Sequence, residues 1–246
     1  MTNGIIILYN IIMNKKKYLL VIPAADNRTF FEMTFPEIVN MQDTDILVVD
    51  DASDDGSEEI INKINGIVCI RHEQPLGFGA SMIRGYEYGR DMGYEVLIYL
   101  DPRNGNPRAD VEQMAAEMNY GYDYVSCSRI LENQDAALIN PSYVSMMETI
   151  SNAVRESLNM DVTDPLSGIF AVRTDVLDKM ELTDYTHAVM LQLLVQAASL
   201  RIASMEIPSA SGDSFGLEFE EYEDPVGDFL SAMETEKYLY FRENMR

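Results

Sequence analysis

Strand-like and helix-like patterns alternate along the first 130 residues, and this alternation constrains the fold more than any other feature. Short apolar runs at 18–22, 45–49 and 96–100 each lead into a polar turn and then a helical pattern. Strands joined through helices pair in parallel and cross over with a right hand. We therefore predict an α/β fold in which helices cover both faces of a mainly parallel, doubly wound sheet.

The same patterns predict the elements of one domain at residues 17–210. Further strands are predicted at 67–70, 124–128, 168–172 and 201–207, and helices at 28–40, 56–64, 79–92, 106–118, 142–158 and 188–200. Asn106 is the predicted N-cap of the helix that opens at Pro107. Asp55 and Glu58 have the spacing of a capping box.

The C-terminal part, residues 211–246, is predicted to be an acidic loop followed by a helix. Seven acidic residues and no basic residue lie between positions 212 and 228, a charge density typical of a mobile loop. The helix is predicted to begin at Asp224-Pro225. Its apolar side is expected to face a partner surface, which leaves a homo-oligomer open. The residues on that side are Phe229, Leu230, Met233, Tyr240 and Phe241.

The N-terminal extension, residues 1–16, contains an apolar run that is too short for a membrane span. The run from Gly4 to Met13 has about half of the ~20 residues that cross a bilayer, and it lacks the flanks of a signal peptide. An extra strand, a peripheral anchor and a true start at Met13 are all compatible with it. No later segment is long and apolar enough to cross a membrane, so we expect a cytoplasmic protein, free or peripheral at the inner face of the membrane.

The formal charge of −23, from 41 acidic and 18 basic residues among 246, limits the partners. A field of this sign repels phosphate backbones, so we expect no nucleic-acid partner. A nucleotide ligand would need local arginines, backbone amides or a metal ion.

Cys69 and Cys127 form neither a disulfide framework nor a zinc motif, and we expect both to be small buried side chains.

Polar segments follow three of the predicted strands at the point where each strand ends. These segments are Pro23-Ala24-Ala25-Asp26, Asp50-Asp51-Ala52-Ser53 and Asp101-Pro102-Arg103. The carboxyl ends of parallel strands meet at one edge of the sheet, where open α/β sheets bind ligands. A carboxylate at such a strand end can accept from the imide N–H of uracil or from the N1–H and amino group of guanine.

Four further motifs complete the pattern. They are the glycine-rich helix start from Gly77 to Gly85, Val-Ser-Cys-Ser-Arg at 125–129, Asp-Pro-Leu-Ser-Gly-Ile-Phe at 164–170 and Glu-Ile-Pro at 206–208. Taken in order, the segments resemble the family-2 glycosyltransferases of GT-A fold over about residues 17–210, most closely the dolichyl-phosphate mannose or glucose synthase branch. The resemblance implies an inverting transfer of a hexose from a UDP- or GDP-linked donor to an acceptor such as a polyprenyl phosphate. A catalytically degenerate domain that binds a nucleotide or a protein partner is the alternative.

The resemblance also implies a role for each matched position. Nucleotide contacts are implied for Pro23, Ala24, Asp26, Asp51, Ser53, Gly79 and Arg84, and diphosphate or acceptor contacts for Arg103, Arg129, Ser167 and Gly168. Asp101 is implied as a catalytic metal ligand, and Asp164 as a general base or acceptor-orienting group. Structural roles stay open for Asp26 as a helix cap, for the glycines as packing positions and for Arg84 as a solvated side chain.

The third strand-end segment departs from the family pattern. The family's Asp-x-Asp holds Mg²⁺ or Mn²⁺ against the diphosphate, whereas Arg103 stands here in the second carboxylate's place. Asp101 alone, together with phosphate oxygens, could still hold Mg²⁺. A guanidinium nevertheless repels a divalent ion and attracts a diphosphate, so we predict weakened metal dependence with Arg103 as the substitute cation. Two further departures are Cys127 in place of a glycine and an acidic segment from Gly212 in place of a basic closing loop.

Overall fold

The structure is a computed structural model that describes residues 17–39, 41, 43–103, 108–132, 141–210 and 223–244. The predictions for the N-terminal extension, for the helix start at Asn106-Pro107 and for most of the acidic loop lie outside the described residues. The same holds for the side chain of Phe241.

One sheet of seven strands organises the described part of the chain. The strands are β1 (Tyr18–Ala24), β2 (Thr44–Asp50), β3 (Ile67–Arg71), β4 (Val96–Leu100), β5 (Tyr124–Ser128), β6 (Ile169–Arg173) and β7 (Ser204–Pro208). Their order is β3-β2-β1-β4-β6-β5-β7, and β6 runs antiparallel to both of its neighbours while the other described pairs are parallel. The mainly parallel sheet confirms the predicted fold class.

The reversed direction of β6 matters for the position of the loop before it. Because β6 is antiparallel to β4, it begins at the edge of the sheet where β4 ends. The backbone N–H of Asp101 donates to the carbonyl of Gly168 at 2.9 Å, which extends the pairing by one step. The loop that ends at Gly168 therefore lies at the same edge as the carboxyl ends of the parallel strands.

The described helices are α1 (Arg28–Met33), α2 (Phe35–Ile38), α3 (Ser57–Ile61), α4 (Phe78–Asp91), α5 (Arg108–Asn119), α6 (Pro141–Leu158), α7 (Thr174–Leu177), α8 (Val189–Leu200) and α9 (Pro225–Asn244). The single helix predicted at 28–40 is thus divided into α1 and α2. Pro36 stands at the start of α2. Proline has no N–H and its ring crowds the carbonyl four residues earlier, so a continuous helix through it is disfavoured.

Two element boundaries differ from the prediction for local reasons. The Asp55 carboxylate accepts from the backbone N–H of Ser57 at 2.9 Å, so the predicted capping box with Glu58 is wrong. Gly56 precedes α3 with φ of +88°, a conformation that glycine adopts without strain. The strand β7 begins later than predicted because Arg201 closes α8 in a left-handed conformation with φ of +54°.

Hydrophobic side chains fill both faces of the sheet. Successive residues of β1 alternate between two clusters, with Leu19 and Val21 in the first and Leu20 and Ile22 in the second. The first cluster packs against α4, α6, α8 and α9, and the second against α1, α2 and α5. Helices on both faces confirm the doubly wound architecture.

The helix α4 lies unusually close to the sheet at two glycines. A Cβ atom at Gly85 would lie 2.4 Å from Cγ1 of Val21, and one at Gly89 would lie 2.4 Å from Cδ2 of Leu97. A larger residue at either position would push the helix away from β1 or β4. Gly85 therefore has the packing role that the sequence left open.

The helix α9 uses its apolar side within the chain. Phe229 and Met233 are fully buried in the first cluster, where α9 packs against α8 and α6. The prediction that these side chains face a partner surface is therefore wrong. Among the described side chains of α9, the exposed large hydrophobic residues are Tyr238 and Leu239.

The prediction that both cysteines are buried holds for one of them. Cys127 is buried as predicted, whereas Cys69 is exposed because it lies on β3 at the edge of the sheet.

Within the described ranges, no helix combines the length and the apolar character that a membrane span requires.

Candidate functional site

The candidate site is a cavity of about 190 Å³ at the carboxyl edge of the sheet. Its walls come from the ends of β1, β2 and β4, the first turn of α4 and the segment before α8. Five predicted residues line it: Pro23, Ala24, Asp51, Asp101 and Arg103. Six lining residues were not predicted as site residues: Ala25, Asn27, Gly77, Phe78, Ser81 and His187.

The Asp51 carboxylate accepts three hydrogen bonds from its own chain and is 7% exposed. Oδ1 is 2.8 Å from the backbone N of Leu76 and 2.7 Å from Nδ1 of His72, and Oδ2 is 2.8 Å from the backbone N of Gly77. An ionised carboxylate only accepts, so Nδ1 of His72 carries the proton in this pair. A carboxylate has about four acceptor positions, so one position remains, on Oδ2.

The turn that follows β2 is held by the preceding aspartate. Oδ1 of the fully buried Asp50 accepts from the backbone N–H and the hydroxyl of Ser53, and Arg71 donates to its Oδ2. The hydroxyl oxygen of Ser53 also accepts from the backbone N–H of Asp26 at 3.0 Å. Ser53 and Asp26, both candidates for nucleotide contacts, therefore stabilise this turn and do not line the cavity.

Asp101 and Arg103 form an ion pair at the end of β4. Nε of Arg103 is 3.0 Å from Oδ1 of Asp101, Nη2 is 2.7 Å from Oδ2, and the backbone N of Arg103 is 2.9 Å from Oδ1. Burial alone would raise the pKa of the Asp101 carboxyl, but the charge and hydrogen bonds of Arg103 hold that pKa below its ordinary value. The carboxylate is thus ionised and compensated by its own chain.

His187 completes this end of the cavity. Its Nε2 is 2.7 Å from Nη2 of Arg103, and its ring stacks on Phe78 with centroids 4.6 Å apart. Because a guanidinium N–H donates, Nε2 of His187 is the acceptor in this contact. The guanidinium of Arg103 therefore bridges the Asp101 carboxylate and the His187 ring.

The segment that carries His187 is held by the two C-terminal helices. Oε1 of Gln192 on α8 accepts from the backbone N–H of Thr183 at 2.7 Å, and its Nε2 donates to Glu236 on α9 at 2.8 Å. Nε2 of Gln196 also donates to Glu236, at 2.7 Å. These partly buried polar contacts tie α9 to the segment that carries His187.

Asp164 and Arg129 form a second ion pair that is buried beside the site. Nε and Nη2 of Arg129 are 2.7 and 2.8 Å from the two carboxylate oxygens of Asp164, and the Tyr143 hydroxyl donates to Oδ1 at 3.0 Å. Burial opposes the charge of Arg129, but the Asp164 carboxylate raises the pKa of the guanidinium above its ordinary value. Neither residue lines the cavity, and the roles of Asp164 as a general base or acceptor-orienting group and of Arg129 as a phosphate contact stay predictions.

Ser167 and Gly168 belong to the framework of the same loop. The Ser167 hydroxyl donates to the carbonyl of Cys127, and the Gly168 carbonyl accepts from the backbone of Asp101. Both residues are buried and neither lines the cavity. These hydrogen bonds join β5 and β4 to the loop, and a contact of Ser167 or Gly168 with a diphosphate or acceptor stays a prediction.

Gly79 and Arg84 on α4 also lie outside the cavity. The backbone N–H of Gly79 donates to the carbonyl of Tyr185 at 2.9 Å, and a Cβ at Gly79 would lie 2.2 Å from the carbonyl oxygen of Asp184. Arg84 is largely exposed and pairs with Glu87. Gly79 thus makes packing contacts and Arg84 lies at the surface, and a nucleotide contact by either residue stays a prediction.

Residues 20–180 match the family model described as glycosyl transferase family 2. The chain belongs to this family. It is 22% identical over 209 residues to the dolichol-phosphate mannosyltransferase of Pyrococcus furiosus, covering 80% of this chain and 56% of that protein. It is 24% identical over 143 residues to the polyprenol monophosphomannose synthase of Mycolicibacterium smegmatis, covering 56% and 54%. The chain thus spans about half the length of these curated relatives.

Solved structures share the fold of this chain. A crystal structure of glucosyl-3-phosphoglycerate synthase from Mycobacterium tuberculosis with Mn²⁺, UDP and phosphoglyceric acid has a TM-score of 0.72 at 16% identity, over 91% of this chain and 79% of that chain. The mannosyl-3-phosphoglycerate synthase of Rubrobacter xylanophilus has a TM-score of 0.61 at 15% identity, over 97% and 78%. The fold of this family 2 member is therefore of the GT-A type.

The donor set of this glycosyl transferase family 2 site does not fit a divalent ion. Both oxygens of Asp101 and Nε2 of His187 converge on one guanidinium, so an ion between them would have to displace Arg103. The described residues contain no group of three or more histidine, cysteine or acidic side chains suited to a metal. The neighbouring structure of the same fold contains Mn²⁺.

Proposed function

We propose that this chain is an inverting glycosyltransferase that moves a hexose from a UDP- or GDP-linked donor to an acceptor, with a polyprenyl phosphate as the acceptor class. The observation that carries the proposal is that Asp51, Asp101, Arg103 and His187 line one cavity at the carboxyl edge of the sheet. The neighbour solved with UDP supports a nucleotide-linked donor. The names of two relatives contain dolichol phosphate and polyprenol, which supports the acceptor class.

The cavity suggests how a donor would lie. The base would meet the remaining acceptor position of Asp51, and the diphosphate would meet the guanidinium of Arg103, whose side chain is 35% exposed. Guanidinium is the side-chain group best suited to bidentate contact with phosphate oxygens. The negative charge that develops on the leaving diphosphate would then be stabilised by Arg103.

The proposed step is a single displacement. A phosphate oxygen of the acceptor attacks the anomeric carbon, the new C–O bond forms on one face, and the bond to the diphosphate breaks on the other. The diphosphate leaves with the electron pair, so the configuration inverts. An anionic phosphate oxygen needs no general base, which is consistent with Asp164 being paired with Arg129.

Arg103 would replace the divalent ion in this reaction. Two unit charges at about 4 Å interact by about 4 kcal/mol at an effective dielectric of 20. That magnitude suffices for a guanidinium to disfavour Mn²⁺ at the site and to favour a diphosphate. We therefore propose a transferase with weak dependence on Mg²⁺ or Mn²⁺. A lipid-linked acceptor would bring it to the inner face of the membrane as a peripheral protein.

A transfer assay tests this proposal. Purified protein is incubated with labelled UDP- or GDP-hexoses and a short-chain polyprenyl phosphate, in EDTA or in Mn²⁺, and label in the lipid is measured. We expect transfer from one donor class in both conditions, a large loss in Arg103→Gln, and no loss in Arg155→Gln. Arg155 is an exposed arginine outside the cavity, paired with Asp161. Donor binding without transfer to any acceptor would contradict the proposal and favour the degenerate binding module.

A further inference from the structure

The guanidinium of Arg103 is held by acceptors from two separate parts of the chain. Oδ2 of Asp101, directly after β4, lies 2.7 Å from its Nη2, and Nε2 of His187, in the segment before α8, lies 2.7 Å from the same nitrogen. Nη2 carries two hydrogens, and these two contacts use one each. The Asp101 carboxylate compensates the charge of the guanidinium. His187 accepts as a neutral ring, so its contribution is the direction in which Nη2 points.

The ring of His187 is itself fixed in place. One face stacks on Phe78, the first residue of α4, with the two ring planes 9° apart. The backbone before His187 is tied to the same helix, because the carbonyl of Tyr185 accepts from the backbone N–H of Gly79 at 2.9 Å. The acceptor that Arg103 meets is therefore held by α4 without the help of a ligand.

We propose that His187 is a positioning residue that orients the guanidinium of Arg103 toward the leaving diphosphate. The inference rests on the proposed function and adds a residue to its site. An arginine side chain loses much rotamer freedom when it is fixed, and donors that are fixed before the reaction avoid this cost in the transition state. The Arg103 side chain is 35% exposed, so it is held by the chain and still open to a ligand.

The contact with His187 should matter more for the transition state than for donor binding. The charge of a guanidinium attracts a diphosphate over several ångströms, and this attraction tolerates a small shift of the group. The charge that develops on the departing oxygen is stabilised by donors in defined positions. Loss of an interaction that acts only in the transition state lowers kcat and kcat/KM equally and leaves KM unchanged. A direct contact between His187 and the bound donor would instead be seen in KM.

Transfer kinetics of three variants test the positioning role. His187→Phe keeps a ring that can stack on Phe78 and removes the acceptor. It should lower kcat and kcat/KM for the donor by about tenfold to a hundredfold, the scale of a small misplacement, with KM nearly unchanged. His187→Gln offers an amide oxygen as the acceptor and should recover most of kcat. Tyr185→Leu is the matched control, because this neighbouring side chain is 56% exposed and does not line the cavity, and it should have the kcat of the wild type.

Nitrogen NMR of the folded protein tests the contact without a substitution at His187. The chain has two histidines, so protein made with isotope-labelled histidine gives few signals. At a pH where free histidine is neutral, Nε2 of His187 should have the shift of an unprotonated acceptor. This signal should move in Arg103→Met, which has no donor, while the signals of His72 stay. A protonated Nε2 in the wild type, or a signal that does not respond to Arg103→Met, would overturn the contact.

The results separate this inference from the proposed function. If the wild type transfers hexose and His187→Phe keeps its kcat or changes only KM, the positioning role is overturned and the glycosyltransferase proposal stands. The same conclusion follows if His187→Gln is impaired as much as His187→Phe. A wild type that transfers hexose to no acceptor would overturn the proposed function and this inference with it.

Discussion

Arg103 contacts Asp101 at two points, with Nε 3.0 Å from Oδ1 and Nη2 2.7 Å from Oδ2. The carboxylate that the family motif assigns to a metal is thus neutralised by a side chain two positions further on. A buried charge is tolerated when it is paired and hydrogen-bonded, and Asp101 meets both conditions. The cation that faces the Asp101 carboxylate is therefore a permanent part of the chain.

Removing that charge should create a dependence on divalent ions. In the wild type, EDTA should change the affinity for a nucleoside diphosphate little. In Arg103→Asp, EDTA should weaken binding tenfold or more, about 1.4 kcal/mol, because two carboxylates attract Mn²⁺ and repel the diphosphate. Calorimetry with and without Mn²⁺ measures both affinities. Arg155→Asp makes the same change in net charge outside the cavity and should stay insensitive to EDTA. Collapse of wild-type binding on chelation would show that Asp101 holds a metal despite Arg103.

The stability contributed by Asp101 should depend on pH. Its pKa is lowered in the folded state, so the ionised group stabilises the fold above the unfolded value of about 3.9. That contribution is lost as the pH falls through the folded pKa. The difference in unfolding free energy between wild type and Asp101→Asn should therefore be constant from neutral pH to about pH 5 and shrink on further acidification. Urea unfolding at a series of pH values measures it, and a difference that grows in acid would contradict the ion pair.

Replacing Asp51 should affect both ligand and loop. Asp51→Ala should weaken binding of the preferred nucleoside diphosphate by about 1–3 kcal/mol, the size of a hydrogen bond to a charged group. It should also lower the melting temperature, because the backbone N–H groups of Leu76 and Gly77 lose their acceptor. Calorimetry and thermal unfolding measure the two effects separately. Wild-type affinity in a folded variant would mean that the base binds elsewhere.

The pair of Arg129 and Asp164 should behave as a structural unit. Either Arg129→Met or Asp164→Leu leaves one buried charge without a partner and should destabilise the fold by about 3–5 kcal/mol. The double variant should lose clearly less than the sum of the two single losses, because no charge is left alone. Equilibrium denaturation of the four proteins gives the coupling. Additive losses would show that the two side chains act independently.

The two sides of α9 should respond differently to truncation. Phe229→Ala removes a fully buried ring and should cost about 3–5 kcal/mol of unfolding free energy. Leu239→Ala removes a side chain that is 48% exposed and should change it by about 0.5 kcal/mol or less. Denaturant unfolding measures both. A small loss for Phe229→Ala would mean that α9 does not contribute to the core in solution.

The architecture and the cavity residues at strand ends, Asp51 and Asp101 among them, could be predicted because their signals are local. Apolar runs predict buried strands, and Asp51 and Asp101 each follow such a run directly, so the ends of parallel strands bring them to one edge. His187 has no comparable signal. The segment that carries His187 is positioned by hydrogen bonds of Gln192, which also contacts Glu236. These contacts depend on how α8 and α9 pack.

The partner of a charged side chain could not be predicted from spacing. Arg129 and Asp164 both lie in motifs that resemble ligand contacts, yet they are 35 positions apart and satisfy each other. The loops that carry Arg129 and Asp164 meet because β6 runs antiparallel to β5. No local sequence pattern predicts the direction of β6. That the buried hydroxyl of Ser81 has no partner among the described residues likewise becomes visible only once every donor and acceptor around it is placed.

The close packing of α4 on the sheet bears on how the substrate selectivity of this family member can change. Gly85 and Gly89 let the helix rest on Val21 and Leu97, and the same helix carries Ser81 into the cavity wall. A methyl group added at either glycine would push α4 away from the sheet. Because a helix moves as a stiff unit, the first turns of α4 at the cavity would also shift. Selectivity for a substrate can therefore evolve through interior residues that never meet it.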